Sequence, residues 1–147
     1  MKIVLSTLLC LCFAACAAPL KIEKLAAIDA SSREFVLLTT TPWDADLRSA
    51  MHRQNFKVLK FASQKTIIRE DKAVEQTEVY RKAGARYAIS LSYDVIDRDI
   101  FSAKRKLDVV LEVADIRSNE VILVIKKGGW SHKVFDELAK ELSAQWR

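Results

Sequence analysis

Cysteine is confined to the first sixteen residues, at Cys10, Cys12 and Cys16. The body of the chain therefore offers no disulfide pair, no CxxC redox motif and no thiolate zinc site. Glycine occurs three times and proline twice in 147 residues, too seldom for a collagen-like, low-complexity or repeat architecture. The two histidines, His52 and His132, stand far apart, and no glycine-rich phosphate loop or GxSxG elbow is present, so the usual enzyme signatures are missing. No cofactor and no metal is expected. What remains is a chain that is half apolar with a net charge of +5, long enough for one compact domain.

Lys2 followed by the apolar run Ile3 to Ala15, interrupted only by Ser6 and Thr7, has the n-region and h-region of a secretory signal. The run is too short for a membrane span, which needs about 20 apolar residues. Leu11-Cys12-Phe13-Ala14-Ala15-Cys16 resembles a bacterial lipobox, although Phe13 stands where Leu, Val or Ile is usual. The resemblance implies cleavage after residue 15 and a diacylglyceryl group on Cys16. The competing reading is ordinary secretion with cleavage after Ala17, guided by Ala15 and Ala17 at A-x-A spacing. Stable anchoring takes at least two acyl chains, which lipoprotein processing supplies. An Asp directly after the cysteine tends to retain such lipoproteins in the inner membrane. Ala17 occupies that position, so the resemblance implies the periplasmic face of the outer membrane. Loss of Lys2 with residues 1–15 lowers the net charge from +5 to +4. That mild excess and that compartment argue against nucleic acid as a partner.

Residues 16–33 read as an acylated N-terminus and tether, with Leu20, Ile22, Leu25 and Ile28 apolar enough for part of it to pack on the domain. Residues 34–147 read as one domain. Phe35-Val36-Leu37-Leu38 is a buried strand by its apolar, β-branched character. Thr41-Pro42 opens a helix, with Asp44 and Asp46 in its first turns and Trp43, Leu47, Ala50 and Met51 on one face, ending near Gln54-Asn55. Phe56, Val58 and Phe61 suggest a second strand. The spacing of Ala73, Thr77, Tyr80 and Ala83 predicts a second helix over 72–83, closed by Gly84.

From Tyr87 the period changes to two. Tyr87, Ile89, Leu91, Tyr93 and Val95 alternate with small or polar residues, and Leu107, Val109, Leu111 and Val113 do the same after a polar connection around 97–103. Arg117-Ser118-Asn119-Glu120 is a tight turn, with Asn119 able to take the left-handed conformation, and Val121 to Lys127 returns as a partner strand. Gly128-Gly129 should break the sheet. Ser131 should cap a closing helix with Phe135, Leu138, Leu142 and Trp146 along one side. The order β-α-β-α-β-β-β-α, an antiparallel three-strand meander in a mixed sheet with helices on one face, is an α+β two-layer sandwich.

Three segments carry a wider resemblance: Lys82-Ala83-Gly84-Ala85-Arg86-Tyr87, the hairpin Leu111 to Val121, and Gly128-Gly129-Trp130 before the last helix. The succession resembles small envelope lipoproteins related to the curli-secretion pore subunit, the outer-membrane activator of penicillin-binding proteins and the N-terminal domain of the Tol-system propeller protein. It implies a non-catalytic domain that binds an envelope protein or copies of itself. No pair of long alternating segments is present to span a membrane as a hairpin.

Trp130 beside Gly128 and Gly129 is an interface candidate, because tryptophan is a frequent hot spot; the competing role is closure of the core beneath the last helix. Lys104, Arg105 and Lys106, with Lys126-Lys127 and Arg81, Lys82 and Arg86, could meet anionic headgroups or an acidic partner; protection of a sheet edge is the plainer reading. Asp94, Asp97 and Asp99 lack the glycine and glutamate of a calcium loop. A soluble periplasmic protein, or a hydrolase using Asp94, Asp97, Glu112 and Asp115, is the alternative. It requires those acids to converge in a cleft.

Overall fold

The computed structural model describes residues 20–59, 84–102 and 104–147. Six strands form one mixed sheet. They are β1 (Lys21–Lys24), β2 (Glu34–Leu37), β3 (Lys57–Leu59), β4 (Tyr87–Arg98), β5 (Arg105–Asp115) and β6 (Glu120–Trp130). Across the sheet the order is β1-β6-β5-β4-β2-β3. β2 runs parallel to β3 and to β4, and every other pairing is antiparallel. Two helices, α1 (Asp44–Arg53) and α2 (Ser131–Gln145), send their apolar stripes into one core with the inward residues of the sheet. The α+β sandwich and its antiparallel meander are therefore present. The segment 72–83, expected to be helical, and Phe61 lie outside the described residues.

Phe35 sits at the centre of this core. Its ring lies 5.2 Å from that of Phe56, 5.7 Å from Tyr87 and 5.1 Å from Trp146, so β2, β4 and the residues just beyond α1 and α2 converge on one side chain. Trp146 is 1% exposed and its indole N–H donates to the Ser32 carbonyl at 2.9 Å. On the opposite face a smaller cluster gathers Val36, Ala85, Ala88 and Ile116.

Thr41 does shape the start of α1, jointly with Asp44. The Thr41 hydroxyl accepts from the Trp43 amide at 3.2 Å, while Asp44 Oδ1 accepts from the Thr41 amide at 3.0 Å and hydroxyl at 2.8 Å, which fixes the turn leading into the helix, although no side chain caps its N-cap position, Trp43. The helix ends at Arg53, and Asn55 just beyond it, with a φ of 61°, turns the chain so that the Phe56 amide reaches the Met51 carbonyl. Asn119 likewise takes φ 58° in the β5–β6 turn, and Gly84 takes φ 78°.

Three expectations are corrected. The tether assigned to residues 16–33 contains a strand: Lys21–Lys24 pairs with Lys126–Leu123 of β6. Ile22 and Ile28 pack against the core, whereas Leu20 and Leu25 stay exposed. The β5–β6 bulge explains how this segment is held. Ile122 is the extra residue between Val121 and Leu123, and its carbonyl accepts from the amides of Leu25 and Ala26. Second, Gly128-Gly129 does not break the sheet but lies within β6. A Cβ on Gly129 would come within 3.3 Å of Val134 Cβ, so the glycine allows α2 to turn back closely over the strand. Third, Ser131 makes no cap bond to α2; its Oγ accepts from the Arg105 amide at 3.3 Å.

Residues 25–33 are clasped further by polar contacts. Tyr87 Oη accepts from the Asp29 amide at 2.9 Å and donates to the Asp29 carbonyl at 3.1 Å. Arg86 bridges the Asp29 and Asp115 carboxylates. Hydrogen bonds from Ser31 first, and the charge of Arg86 after them, hold the Asp29 carboxyl below its ordinary value. A lowered folded-state pKa gives stability that is complete above the ordinary carboxylate range and lost as pH falls through the lowered value. Asp29→Asn is therefore expected to flatten the acid limb of the thermal midpoint against pH while leaving the neutral plateau with a smaller change. Phe35→Ala is expected to cost about 3–5 kcal/mol by urea unfolding, and Gly129→Val about 1–3 kcal/mol by crowding Val134.

Candidate functional site

The two groups of residues singled out in the sequence lie together at one end of the sheet. Lys106 is the register partner of Trp130, Leu107 of Gly129 and Asp108 of Gly128. Leu107 is buried toward the helices, so its neighbours Lys106 and Trp130 face the other way. Trp130 is 37% exposed and does not close the core, a role that falls to Trp146. Lys104 and Arg105 are exposed, with the Arg105 guanidinium 6.0 Å from the centre of the Trp43 ring. Of the other basic residues, Lys127 pairs with Glu137 of α2 at 3.0 Å and Arg86 is taken up by Asp29 and Asp115. Cys16, Arg81 and Lys82 lie outside the described residues.

This end of the sheet carries a feature that the sequence reading passed over as a polar connection. β4 continues to Arg98, and Ile96 is an extra residue between Val95 and Asp97 in its pairing with β5. The loop beyond is built on Asp99. Its carboxylate accepts from the Phe101 amide at 2.9 Å and the Ser102 hydroxyl at 2.7 Å, and its amide donates to the Lys104 carbonyl at 3.1 Å. The Ser102 hydroxyl, followed by the Phe101 amide, lowers the pKa of Asp99. The consequence is that Ile100 and Phe101 project outward, 92% and 97% exposed. Two adjacent large apolar residues between Asp99 and Ser102 were the available signal, since a hairpin loop ordinarily carries polar residues there.

The acidic residues named for a hydrolase do not converge. Asp94 stands opposite Asp108, Glu112 opposite Ser90 and Asp115 opposite Tyr87. Asp97 bonds the adjacent Arg98 amide, and Asp115 pairs with Arg86. Glu112 lies four residues from Asp108 along β5, about 13 Å at strand rise. On the outward face an open groove of about 440 Å³ passes Lys21, Ser92, Asp94, Asp108, Lys126 and Gly128. Among the described residues no group of three acids, histidines or cysteines is placed to hold a metal. His52 and His132 are both exposed.

No family model matches the sequence, and neither does any curated protein. Solved structures do match. A PelC dodecamer from Paraburkholderia phytofirmans superposes with a TM-score of 0.53 at 15% identity, over 88% of this chain and 94% of its own. The two share a fold. TolB from Acinetobacter baumannii aligns over 87% of this chain and 30% of that chain, with a TM-score of 0.46 and 9% identity. Lipoprotein GNA1162 from Neisseria meningitidis aligns over 77% of this chain and 93% of that chain, with a TM-score of 0.38 and 12% identity.

Asp99 organises the loop through local bonds alone, so its removal should loosen the tip without unfolding the domain. Asp99→Ala is expected to raise the hydrogen-exchange rate of the Phe101 amide about tenfold while amides in the middle of β5 keep their protection.

Proposed function

We propose that this protein is a lipid-anchored, non-catalytic binding or assembly protein of the bacterial cell envelope, held by an acylated Cys16 at the periplasmic face of the outer membrane. The observation that carries this reading is the placement of the lipobox. Cys16 precedes β1, which begins at Lys21, by five residues. Five extended residues reach at most about 18 Å, so acylation would hold the folded sheet close to the bilayer. No helix among the described residues is long and apolar enough to cross a membrane, which leaves the acyl chains as the means of attachment in this reading.

Binding rather than chemistry is supported by the dispersal of the candidate acids: Asp94 and Glu112 lie on the outward side of the sheet, whereas Asp115, in register with the buried Tyr87, is paired with Arg86. Self-association is supported by the shared fold with PelC, which forms a dodecamer. A second copy of the chain is thus the first partner to look for, ahead of another envelope protein.

The intact mass of the processed chain is expected to show Cys16 as the first residue carrying a diacylglyceryl group. A chain beginning at Ala18 without lipid would replace this reading with a secreted soluble protein. Cys16→Ser is expected to move the protein out of the membrane fraction, and light scattering of the detergent-solubilised protein is expected to return a mass several times that of one chain.

A further inference from the structure

We infer that the β4–β5 hairpin tip is a membrane-contacting element that inserts Ile100 and Phe101 into the interfacial region of an anionic bilayer. The inference deepens the proposed function by naming the surface against which this end of the domain lies. Three observations support it.

The first is exposure. Ile100 and Phe101 are the two most exposed large apolar side chains among the described residues. Asp99 holds the backbone so that both project away from the sheet. Ile96, 55% exposed, and Trp130, 37% exposed, lie at the same end of the sheet. Tryptophan favours the headgroup level of a bilayer, where its ring is half solvated.

The second is charge. Arg98, Lys104, Arg105 and Lys106 flank the tip, against Asp97 and Asp99. Asp97 accepts from the Arg98 amide at the end of β4, and Asp99 accepts from within the loop. The local net charge is positive, and apolar residues ringed by Lys and Arg suit an anionic lipid surface.

The third is direction. Lys21 is level with Lys126 and Val110, and β1 runs antiparallel to β6, so its N-terminal end points toward the hairpin tip. From Val110 to Arg105 is five residues of β5, about 17 Å at strand rise. The five residues from Lys21 back to Cys16 reach at most about 18 Å. At full extension Cys16 therefore reaches the level of Arg105, at the base of the tip, so that its acyl chains and the apolar side chains beyond Arg105 enter a bilayer from the same side.

The test places the photoreactive benzoylphenylalanine at position 101 of the full chain, and at position 119 for comparison, in vesicles of phosphatidylethanolamine and phosphatidylglycerol at about three to one. Asn119 is exposed at the opposite end of the meander. Lipid adducts are expected from position 101 and not from position 119. With the probe at 101, Ile100→Asp is expected to reduce them about tenfold, and Arg98→Glu with Lys104→Glu about threefold. Lipid adducts no more abundant at 101 than at 119, or adducts at 101 that are only to protein, would overturn the inference. The mass of the processed N-terminus is read on the same sample. Adducts at 101 on an unacylated chain would support the tip and reject the anchor; an acylated chain without adducts would do the reverse.

Discussion

The packing of three aromatic rings around Phe35 is the constraint on which the rest of this structure depends. Phe35, Phe56, Tyr87 and Trp146 come from positions scattered over most of the chain, and Phe35 touches each of the other three. Aromatic pairs in edge and tilted arrangements add to the burial of their area. Their convergence determines how the two-strand parallel edge, the meander and the last helix sit together. It also determines where Tyr87 Oη emerges, and hence where Asp29 is caught. The polar clasp is thus a consequence of the apolar centre.

The domain has two unlike ends. At the β5–β6 turn, charges are matched: Arg86 lies between Asp29 and Asp115, and the backbone groups of the incoming chain are taken up by Ile122 and Tyr87. At the β4–β5 loop, positive charge is left in excess around two uncovered apolar side chains. The difference gives the sheet a polarity along its strands, with one end closed and the other presenting groups to its surroundings.

Much of this architecture was legible in the residues themselves. The alternation from Tyr87 onward placed the meander, because a sheet buried on one face imposes a period of two, and the apolar spacing of Phe135, Leu138, Leu142 and Trp146 identified the face of α2. What escaped depends on contacts between distant segments. Lys21–Lys24 alternates too briefly to declare itself a strand, and it becomes one because the β6 edge accepts it. Gly128-Gly129 looks like a break until Val134 is seen to need the space above Gly129. Ser131 resembles a cap in isolation, but β5 supplies a competing donor. Within the candidate site, Trp130 and the basic run could be named singly, whereas their adjacency rests on strand register. Ile100 and Phe101 were hidden by the polar residues on either side.

The pairing of β1 with β6 has a temporal consequence. Lys21 meets Lys126, and the Trp146 indole meets a carbonyl 114 positions earlier. Neither Lys126 nor Trp146 exists until most of the chain has been made, so β1 must wait for β6. Whenever β1 is unseated, β6 presents an open edge, a ready template for a neighbouring molecule. A short strand from the start of the domain thus seals a sheet edge formed near its end.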